Sequence, residues 1–562
     1  MRYRDTKVNY YTWRYRIVLL LLLIAALVLI YRMFDLMVFD RQFLVNQGDA
    51  RMMRVMQTQA YRGMITDRFG NPLAISAPVE AAWADPETLL DLPDTQLKSL
   101  ASALGISLQT LKTRIGKKKL DFVYLQRQLT PTQADKVRAL KIKGVFLKRE
   151  YKRYYPDGEV SAQVVGINNI DDQGQEGIEL EYNAQLEGIP GAKRVLKDRL
   201  GYIVSEVDEL SEPKAGENIT LSLDNRIQYL AYRALKDGVQ QYKAKAGTAI
   251  VIDIHTGEIL AMVNAPSFNP NNRPDVRDGR FKNHAVTDTF EPGSTIKAFT
   301  VAMGLTSGEF TPDTILQTAP GWMKLGKNIV RDEHNKENMT VSKALKISSN
   351  MGMARIILAL PLDSFRNYLA TFGLGKITGS GFPGEVSGSL PSASTKFSEF
   401  TAATLSFGYG LTVTPLQLAH MYATLANNGV QIPMTFLKTD VAPQGEQIID
   451  PTVAHEVIEM LESVVEPGGT APKARVPGYW VAGKTGTTRI VGKGGYQKDH
   501  HNAFFVGIAP ATNPQIVVLV FLNDPTNKLY YGGDTAAPIF SKIMGGALRI
   551  LNISPDHLEE KS

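Results

Sequence analysis

Residues 248–264, TAIVIDIHTGEILAMVN, determine which fold is predicted for the C-terminal half of this chain. Their two β-rich runs flank the short turn HTG at 255–257, a spacing typical of a β-hairpin. A second pair of runs, AFFVGIAPATNPQIVVLVFLND at 503–524, is also joined by a short connection and is therefore antiparallel. Helical patterns lie between the hairpins, including 224–242 with Asp224 as its N-cap. Strands at both ends of the region predict an α+β fold, an antiparallel sheet flanked by helices.

The composition of the 562-residue chain excludes several classes of function. With 44% hydrophobic residues, it can form more than one packed domain. Its 62 basic residues exceed its 56 acidic ones by only six, and five of the basic ones lie within residues 1–16, so nucleic acid is not an expected partner. The absence of cysteine excludes disulfides, thiol nucleophiles and cysteine-bound metals.

An apolar run follows a basic leader at the N-terminus. The leader, residues 1–16, precedes IVLLLLLIAALVLIY, and the run reaches Phe39 if Arg32 and Asp35 extend to the membrane interface. A cleaved signal peptide is the alternative, but the residues after the run offer no small-residue cleavage site. We expect an uncleaved transmembrane anchor at 17–39, with the leader in the cytoplasm and the rest of the chain on the other side.

The remainder of the chain divides by composition. Residues 40–215 are charged and mixed in pattern, and ELSEPKAGENI at 209–219 has the composition of a linker. Well-formed helix and strand patterns follow it. We predict an N-terminal domain at 40–215, a C-terminal domain at 216–552 and a short tail at 553–562.

Three short strings in the C-terminal domain are candidates for catalysis. They are STIK at 294–297, SSN at 348–350 and KTGT at 484–487, which match in order the signature Ser-x-x-Lys, Ser-x-Asn and Lys-Thr-Gly. Each string alone is weak, because SEPK at 211–214 also fits the first pattern and SFN at 267–269 fits the second. Their order, spacing and context together make a catalytic site the favoured interpretation.

The first string places a serine at the start of an apolar helix. Residues three apart share a helix face, so the amine of Lys297 can reach the hydroxyl of Ser294. Because this helix is apolar on all sides, we expect Lys297 to be buried, and burial disfavours the charged amine. Lowering a lysine pKa from about 10.4 toward 7 corresponds to roughly 4–5 kcal/mol, and a neutral amine can act as a base. A surface lysine is the alternative for this string taken alone.

The other two strings predict a loop and a strand. Ser348 and Asn350 lie between two helical runs, where a loop would present both side chains, and a helix-capping pair is the alternative. GYWVAGKT at 478–485 also satisfies the Walker A pattern, but Tyr-Trp-Val is strand-like and no helix-forming sequence follows. We therefore predict a strand that places Lys484 beside a cleft, where it suits a substrate carboxylate.

The whole chain resembles a class B penicillin-binding protein, and within that class the septal, penicillin-binding protein 3 type of peptidoglycan D,D-transpeptidase. Besides the three strings, the resemblance is carried by RGMITDRFGNPLA (62–74), RYYPDGEVSAQVVG (153–166), DDQGQEGIELEYNAQLEGIPG (171–191), FEPGSTIKAFT (290–300), GFPGE (381–385) and SFGYGLTVTPLQLAHMYATLANNG (406–429). It implies the penicillin-binding transpeptidase fold and, before residue 216, a non-catalytic pedestal domain of the dimerisation type. It implies neither a metal nor a cofactor.

The resemblance also implies roles for the side chains of the first two strings. Ser294 would attack the penultimate D-Ala carbonyl of a stem peptide and lose its proton to Lys297. Ser348 would pass a proton to the departing D-Ala, and Asn350 would bind the substrate amide.

On the predicted strand, Lys484 would supply positive charge that helps to keep the catalytic amine neutral. Thr485, Gly486 and Thr487 would bind the substrate, the two threonines holding its terminal carboxylate. Backbone N–H groups of Ser294 and Thr487 would form the oxyanion hole. An amine of a neighbouring stem would then accept the acyl group. β-Lactams mimic D-Ala-D-Ala and would remain attached to Ser294.

The resemblance implies a single-pass protein of the bacterial inner membrane with its catalytic domain in the periplasm, at the septum. The expected partners are a SEDS-family glycosyltransferase and other division proteins. The alternatives are an elongation-type transpeptidase, a D,D-carboxypeptidase, a serine β-lactamase, and a β-lactam sensor or catalytically silent scaffold. A class A β-lactamase requires an added glutamate in a Glu-x-x-Leu-Asn context, which the sequence between Asn350 and Lys484 lacks.

Overall fold

The computed structural model describes residues 12–116, 122–197, 203–272, 279–332, 337–392, 394, 397–492 and 494–557. Up to Ser211 its elements are α1 (Thr12–Phe34), α2 (Arg41–Met52), β1 (Met53–Thr58), β2 (Ile65–Thr66), β3 (Pro72–Ala84), α3 (Pro86–Leu90), α4 (Asp94–Leu104), α5 (Leu108–Ile115), β4 (Val123–Leu129), α6 (Pro131–Ala139), β5 (Val145–Tyr154), α7 (Ala162–Val165), β6 (Ile167–Asn168), β7 (Gly174–Glu176), α8 (Gly177–Glu181), α9 (Asn183–Leu186), β8 (Gly191–Lys197) and β9 (Ile203–Ser211).

The elements after Ser211 are β10 (Ile219–Thr220), α10 (Asn225–Gln241), β11 (Ala246–Asp253), β12 (Ile259–Ala265), α11 (His284–Thr287), α12 (Lys297–Thr306), β13 (Ile315–Leu316), β14 (Trp322–Leu325), β15 (Asn328–Arg331), β16 (Met339–Thr340), α13 (Val341–Lys346), α14 (Asn350–Leu358), α15 (Ser364–Thr371), α16 (Glu399–Ser406), α17 (Pro415–Ala426), β17 (Val430–Gln431), β18 (Glu446–Gln447), α18 (Pro451–Val465), β19 (Ala482–Gly492), β20 (Gly495–Ala509), β21 (Ile516–Asn523) and α19 (Gly532–Ile550).

Contacts within the chain define two compact units. The first unit is made of residues 1–61 and 188–215, and the second of residues 62–187 and 216–562. Residues 62–187 therefore group with the C-terminal part of the chain. This division groups residues by their contacts and does not test the domain limits predicted from the sequence. Those limits stay a prediction.

The first unit contains the apolar N-terminal helix. Helix α1 continues into a π-helical turn at Asp35–Phe39, and Thr12–Phe39 is the one helix among the described residues that is long and apolar enough to cross a membrane. At 1.5 Å per residue its 28 residues span about 42 Å, more than the roughly 30 Å of a bilayer core. The unit also contains an antiparallel sheet in the order β1-β8-β9.

A buried ion network joins three of the stretches that carry the family resemblance. In the second unit, Arg62 Nη2 lies 2.7 Å from Glu179 Oε2, and Arg153 Nε lies 2.7 Å from Glu179 Oε1. All three side chains are completely buried. Removing one partner of such a pair leaves an uncompensated charge, at a cost of about 3–5 kcal/mol. The network therefore constrains how these three stretches are positioned around one another.

The hairpins predicted from the sequence form the central sheet of the second unit. Its order is β12-β11-β21-β20-β19, and every neighbouring pair is antiparallel. The turn between β11 and β12 requires a glycine: Gly257 has φ +70°, and a Cβ there would lie 2.2 Å from the Pro433 carbonyl oxygen. The predicted α+β class is confirmed. The predicted N-cap is also present, because Asp224 accepts a hydrogen bond from Arg226 N.

Helices cover both faces of this sheet. Phe505 on β20 packs edge-to-face on Phe540 of α19, with ring centroids 4.7 Å apart. Its neighbour Phe504 points to the opposite face and packs on Phe290, at 4.9 Å. Helix α10 packs with α19, and α17 contacts β11, β20 and β21. Strand β19 lies at the sheet edge, so alternate backbone N–H and C=O groups along it are not used by the ladder to β20.

Candidate active site

Ser294 lies in a tight turn that precedes a buried helix. The sequence predicts a helix from Ser294, but Gly293–Ile296 is a 3₁₀ turn and α12 begins at Lys297. Thr295 stabilises the turn, because its hydroxyl donates to the Pro292 carbonyl at 2.6 Å. The Tyr422 hydroxyl of α17 donates to the Thr295 carbonyl at 2.7 Å. Ser294 itself is half-buried, so the turn leaves the residue partly open to solvent.

A glycine before Ser294 allows the turn to pack against the edge strand. Gly293 has φ +47°, and a Cβ there would lie 2.5 Å from Thr488 Cγ2 of β19. On the other side, a Cβ on Gly408 would lie 2.1 Å from the Gly293 carbonyl oxygen. The absence of both side chains brings Ser294 next to the strand that carries KTGT.

Lys297 is buried, as the sequence predicts, and contacts the second string. Only 1% of the residue is exposed. Its Nζ donates to the Ser348 carbonyl at 2.6 Å, to Ser348 Oγ at 3.1 Å and to Asn350 Oδ1 at 2.7 Å. The structure thus brings together residues that are about 50 positions apart in the chain. The buried amine therefore has three oxygen acceptors within hydrogen-bonding distance.

The SSN string is the junction between two helices. Helix α13 ends at Lys346 and α14 begins at Asn350, so the predicted connection is short and Asn350 is its first helical residue. Ser348 adopts φ +62°, a left-handed conformation that is uncommon for a non-glycine residue. The N-cap is Ser349, which accepts a hydrogen bond from Gly352 N at 2.9 Å. The helix is therefore capped by Ser349, the middle residue of the string. The side chains of Ser348 and Asn350 instead contact Lys297.

Asp332 supports this junction and was not found by sequence reasoning. Its Oδ2 accepts from the Ser349 hydroxyl at 2.6 Å, and its Oδ1 accepts from the backbone N–H groups of Asn350 at 2.6 Å and Met351 at 3.0 Å. A carboxylate at a helix N-terminus is also favoured by the helix dipole. Asp332 follows β15 in a charged stretch without a motif, so no sequence signal separates it from a surface aspartate.

If the site is acylated by penicillin, as the family resemblance implies, replacing Asp332 by Asn is expected to lower the acylation rate constant about tenfold to a hundredfold. The amide keeps one acceptor oxygen for the helix N-terminus but presents an N–H₂ group to the Ser349 hydroxyl. The junction would shift, and the oxygen atoms that contact Lys297 would shift with it. Stopped-flow measurement with a fluorescent penicillin gives both the rate and the labelled fraction.

The matched control is Asp363→Asn, since Asp363 is an exposed aspartate at the N-terminus of α15 whose side chain makes no capping hydrogen bond. A positioning role lowers the rate while the final labelled fraction stays complete, whereas misfolding lowers that fraction. An unchanged rate in Asp332→Asn would contradict the role assigned to the carboxylate.

The KTGT string lies on β19, as predicted. Lys484 and Thr485 lie inside a strand that continues to Gly492, where a P-loop would begin a helix, and this excludes a P-loop there. Gly486 is required by packing, because a Cβ at that position would lie 1.9 Å from a ring atom of Phe504. Thr485 Oγ1 lies 2.8 Å from Thr470 Oγ1, and Thr487 Oγ1 accepts from Gly532 N, the first residue of α19, at 3.0 Å. Two hydroxyl groups are thereby oriented on one edge strand.

Lys484 is completely buried on the same strand. Burial, and next the charge of Lys297, hold the pKa of Lys484 well below its ordinary value. Its Nζ hydrogen bond to Thr485 Oγ1 is 3.5 Å long, at the limit for such a bond. The resemblance implies that Lys484 supplies positive charge to the site, and this role stays a prediction.

Comparisons with known proteins agree with this architecture. The family model for the penicillin binding protein transpeptidase domain matches residues 247–545, and the model for the penicillin-binding protein dimerisation domain matches residues 57–221. The chain belongs to the penicillin-binding proteins, which confirms the family resemblance.

Three relatives show how far the similarity extends. Peptidoglycan D,D-transpeptidase FtsI of Escherichia coli K12 is 40% identical over 560 residues, which cover 99% of this chain and 95% of FtsI. The transpeptidase domain of Burkholderia pseudomallei penicillin-binding protein 3 is 40% identical, with a TM-score of 0.56 over 60% of this chain and 98% of that domain. Penicillin-binding protein 3 of Mycobacterium tuberculosis is 27% identical, with a TM-score of 0.69 over 89% of this chain and 98% of its own.

Proposed function

We propose that this protein is a peptidoglycan D,D-transpeptidase that crosslinks stem peptides of the septal cell wall through an acyl-enzyme on Ser294. One observation carries the proposal. Lys297, which is buried and lies three residues after Ser294, contacts both Ser348 and Asn350. The name of the Escherichia coli relative, a peptidoglycan D,D-transpeptidase, supports the reaction type.

In the acylation step, Ser294 Oγ attacks the carbonyl carbon of the penultimate D-Ala, and the serine proton passes to Lys297 Nζ. The carbonyl oxygen becomes an oxyanion, which the backbone N–H groups of Ser294 and Thr487 stabilise. The C–N bond to the terminal D-Ala then breaks. Ser348 Oγ, 3.1 Å from Lys297 Nζ, relays a proton to the departing amine. The product is an ester between Ser294 and the shortened stem.

In the second step, an amine of a neighbouring stem attacks this ester. The C–O bond to Ser294 breaks, the serine oxygen takes back a proton, and the new amide is the crosslink. A β-lactam enters the first step in the same way, but its leaving group stays attached to the acyl part. The ester then persists, and the protein is inhibited.

Substrate binding supplies the charge arrangement that the first step needs. Thr485 and Thr487 hold the terminal carboxylate of the substrate on the edge strand. A negative charge there favours a proton on Lys484, and two buried ammonium groups repel each other. With the proton on Lys484, Lys297 serves as the neutral base.

The apolar helix at Thr12–Phe39 anchors the chain in the inner membrane, with the catalytic domain in the periplasm. The proposed partners are a SEDS-family glycosyltransferase and other division proteins, on the strength of the family resemblance. An elongation-type transpeptidase has the same chemistry and is the second candidate. A β-lactamase is disfavoured because no glutamate in the context that activates water lies between the second and third strings.

Depletion of the protein in its own bacterium distinguishes these functions. A septal transpeptidase is expected to give filaments, because growth continues without division, and an elongation enzyme gives rounded cells. Expression of the wild-type chain restores division, whereas the Ser294→Ala chain does not. Rounded cells would contradict the septal role. Normal division after complete depletion, or rescue by Ser294→Ala, would contradict an essential transpeptidase.

A further inference from the structure

A polar cavity lies on the side of α17 away from the nucleophile. Its volume is about 810 Å³, within the roughly 300–1,000 Å³ of small-molecule sites. Helix α17 contributes His420 to the lining, whereas Tyr422 contacts the turn that carries Ser294. Two residues are about 200° apart around a helix, so these two side chains point in opposite directions. Of the described residues, none from the three catalytic strings lines the cavity, which is therefore separate from the proposed active site.

His420 presents an unpaired lone pair to this cavity. The residue is 7% exposed, and its Nε2 lies 2.8 Å from the Ile432 carbonyl oxygen. Because a carbonyl only accepts, Nε2 carries the ring proton and donates it. Burial lowers the pKa of His420, so the ring is neutral and Nδ1 keeps its lone pair. Within the described part of the chain, Nδ1 has no hydrogen-bond partner and is not fully enclosed. The cavity thus offers an acceptor to a ligand.

Two amide side chains on the cavity walls are also available. Gln431 makes one hydrogen bond, from its Nε2 to Thr424 Oγ1 at 3.5 Å, which leaves its Oε1 unused among the described residues. Gln444 is exposed and makes no side-chain hydrogen bond to any described residue. A Cβ at Gly373 would lie 3.7 Å from Gln431 Nε2, so the glycine leaves this amide open to the cavity. A ligand can therefore both donate to and accept from these walls.

The remaining lining residues favour a ligand without strong charge. Lys376 and Glu446 are of opposite sign, and the histidine is neutral, so no cluster of cations selects a phosphate or a nucleotide. Ile377, Pro433 and Ile448 supply apolar surface. A sugar ring matches this mixture, because its hydroxyl groups donate and accept and its C–H groups pack on apolar side chains.

We propose that this cavity binds a saccharide, and that the saccharide is the glycan strand of peptidoglycan. The choice of strand rests on the proposed function, since the stem peptides that the protein crosslinks are attached to such a strand. Its sugars carry acetamido groups, each with one N–H and one carbonyl oxygen. The N–H donates to Nδ1 of His420, and the carbonyl accepts from the amide of Gln444. The site holds the strand on the opposite side of α17 from Ser294.

Isothermal titration calorimetry with chitotetraose, a tetramer of N-acetylglucosamine without peptide, tests the site. The full chain is kept in a detergent whose head group is not a sugar, and it is first treated with benzylpenicillin to block the proposed active site. We expect the wild type to bind one tetramer. A double variant, Gln431→Ala with Gln444→Ala, loses two hydrogen bonds and should bind about fivefold more weakly or worse. Thermal unfolding checks that this variant is folded.

The matched control is Gln109→Ala, because Gln109 on α5 is exposed and makes no side-chain hydrogen bond to any described residue. It should keep the wild-type affinity. A wild type that does not bind the tetramer, or a folded double variant with unchanged affinity, would overturn the proposal. Binding of a stem pentapeptide in place of the tetramer would overturn it in favour of a peptide site.

Failure of the proposed function gives a different result. A protein that benzylpenicillin does not acylate contradicts the transpeptidase and removes the reason for choosing peptidoglycan. Tetramer binding that the double variant weakens would still support the saccharide site, because that measurement does not depend on acylation.

Discussion

Ser294→Ala is expected to lower acylation by penicillin to about one ten-thousandth of the wild-type rate or less, because removal of a serine nucleophile eliminates the covalent step. The turn that positions Ser294 does not depend on its hydroxyl. It is stabilised by the Thr295 hydroxyl and by Tyr422, which hydrogen-bonds the Thr295 carbonyl. The variant should therefore fold and still bind ligand reversibly. Intact-protein mass spectrometry after incubation with benzylpenicillin should find one adduct on the wild-type chain and none on the variant.

The second Ser-x-x-Lys string of the chain supplies the control. Ser211 ends β9, and Lys214 pairs with Ile189 in an isolated bridge, far along the sequence from the catalytic strings. Ser211→Ala should keep the full adduct and the wild-type rate. An adduct on Ser294→Ala would refute the acyl-enzyme at this residue.

Lys297→Met is expected to lower the acylation rate about 10²- to 10⁴-fold, the usual contribution of a positioned general base. Methionine has a similar length but no basic nitrogen to accept the serine proton, so the Ser294 hydroxyl keeps its proton as it attacks. The ligand still binds, because its proposed carboxylate contacts are on β19. The rate constant at saturating penicillin should therefore fall much more than the half-saturating concentration changes.

Folding is a separate question for this variant. Loss of the amine leaves the oxygen atoms of Ser348 and Asn350 without that donor, at a cost of about 1–3 kcal/mol, and relief of the repulsion with Lys484 offsets part of it. Thermal unfolding should detect a modest decrease. Lys343→Met, at an exposed lysine on α13, is the control, and it should keep the wild-type acylation rate and the wild-type unfolding temperature. Acylation at the wild-type rate in folded Lys297→Met would exclude Lys297 as the base.

Sequence patterns of neighbouring residues were sufficient to predict those parts of the fold that are specified locally. The two hairpins, the N-cap at Asp224 and the strand at KTGT are local in this sense, since turn residues and alternation specify them within about 20 positions. The helix predicted to begin at Ser294 is present, but it begins at Lys297. There, side-chain and backbone contacts around Thr295 favour a 3₁₀ turn.

The supporting residues of the site could not be predicted in this way. Asp332 lies 17 positions before Ser349, and Thr295 lies 127 positions before Tyr422. An aspartate and a tyrosine have the same local sequence signals whether or not they have partners. The fold brings the partners together, and only then does a hydrogen bond define a role.

The amino-acid sequence alone was enough to predict the family, the α+β class, the membrane helix and the candidate catalytic residues, because each depends on residue type, order and spacing. The lowered pKa of Lys484 and the supports of the site depended on the tertiary structure. Burial of Lys297 and Lys484 is created by several elements packing together, and the pKa of Lys484 is lowered only in that environment. Hydrogen bonds such as those of Asp332 act over about 3 Å, so they follow from spatial distance rather than from separation along the chain.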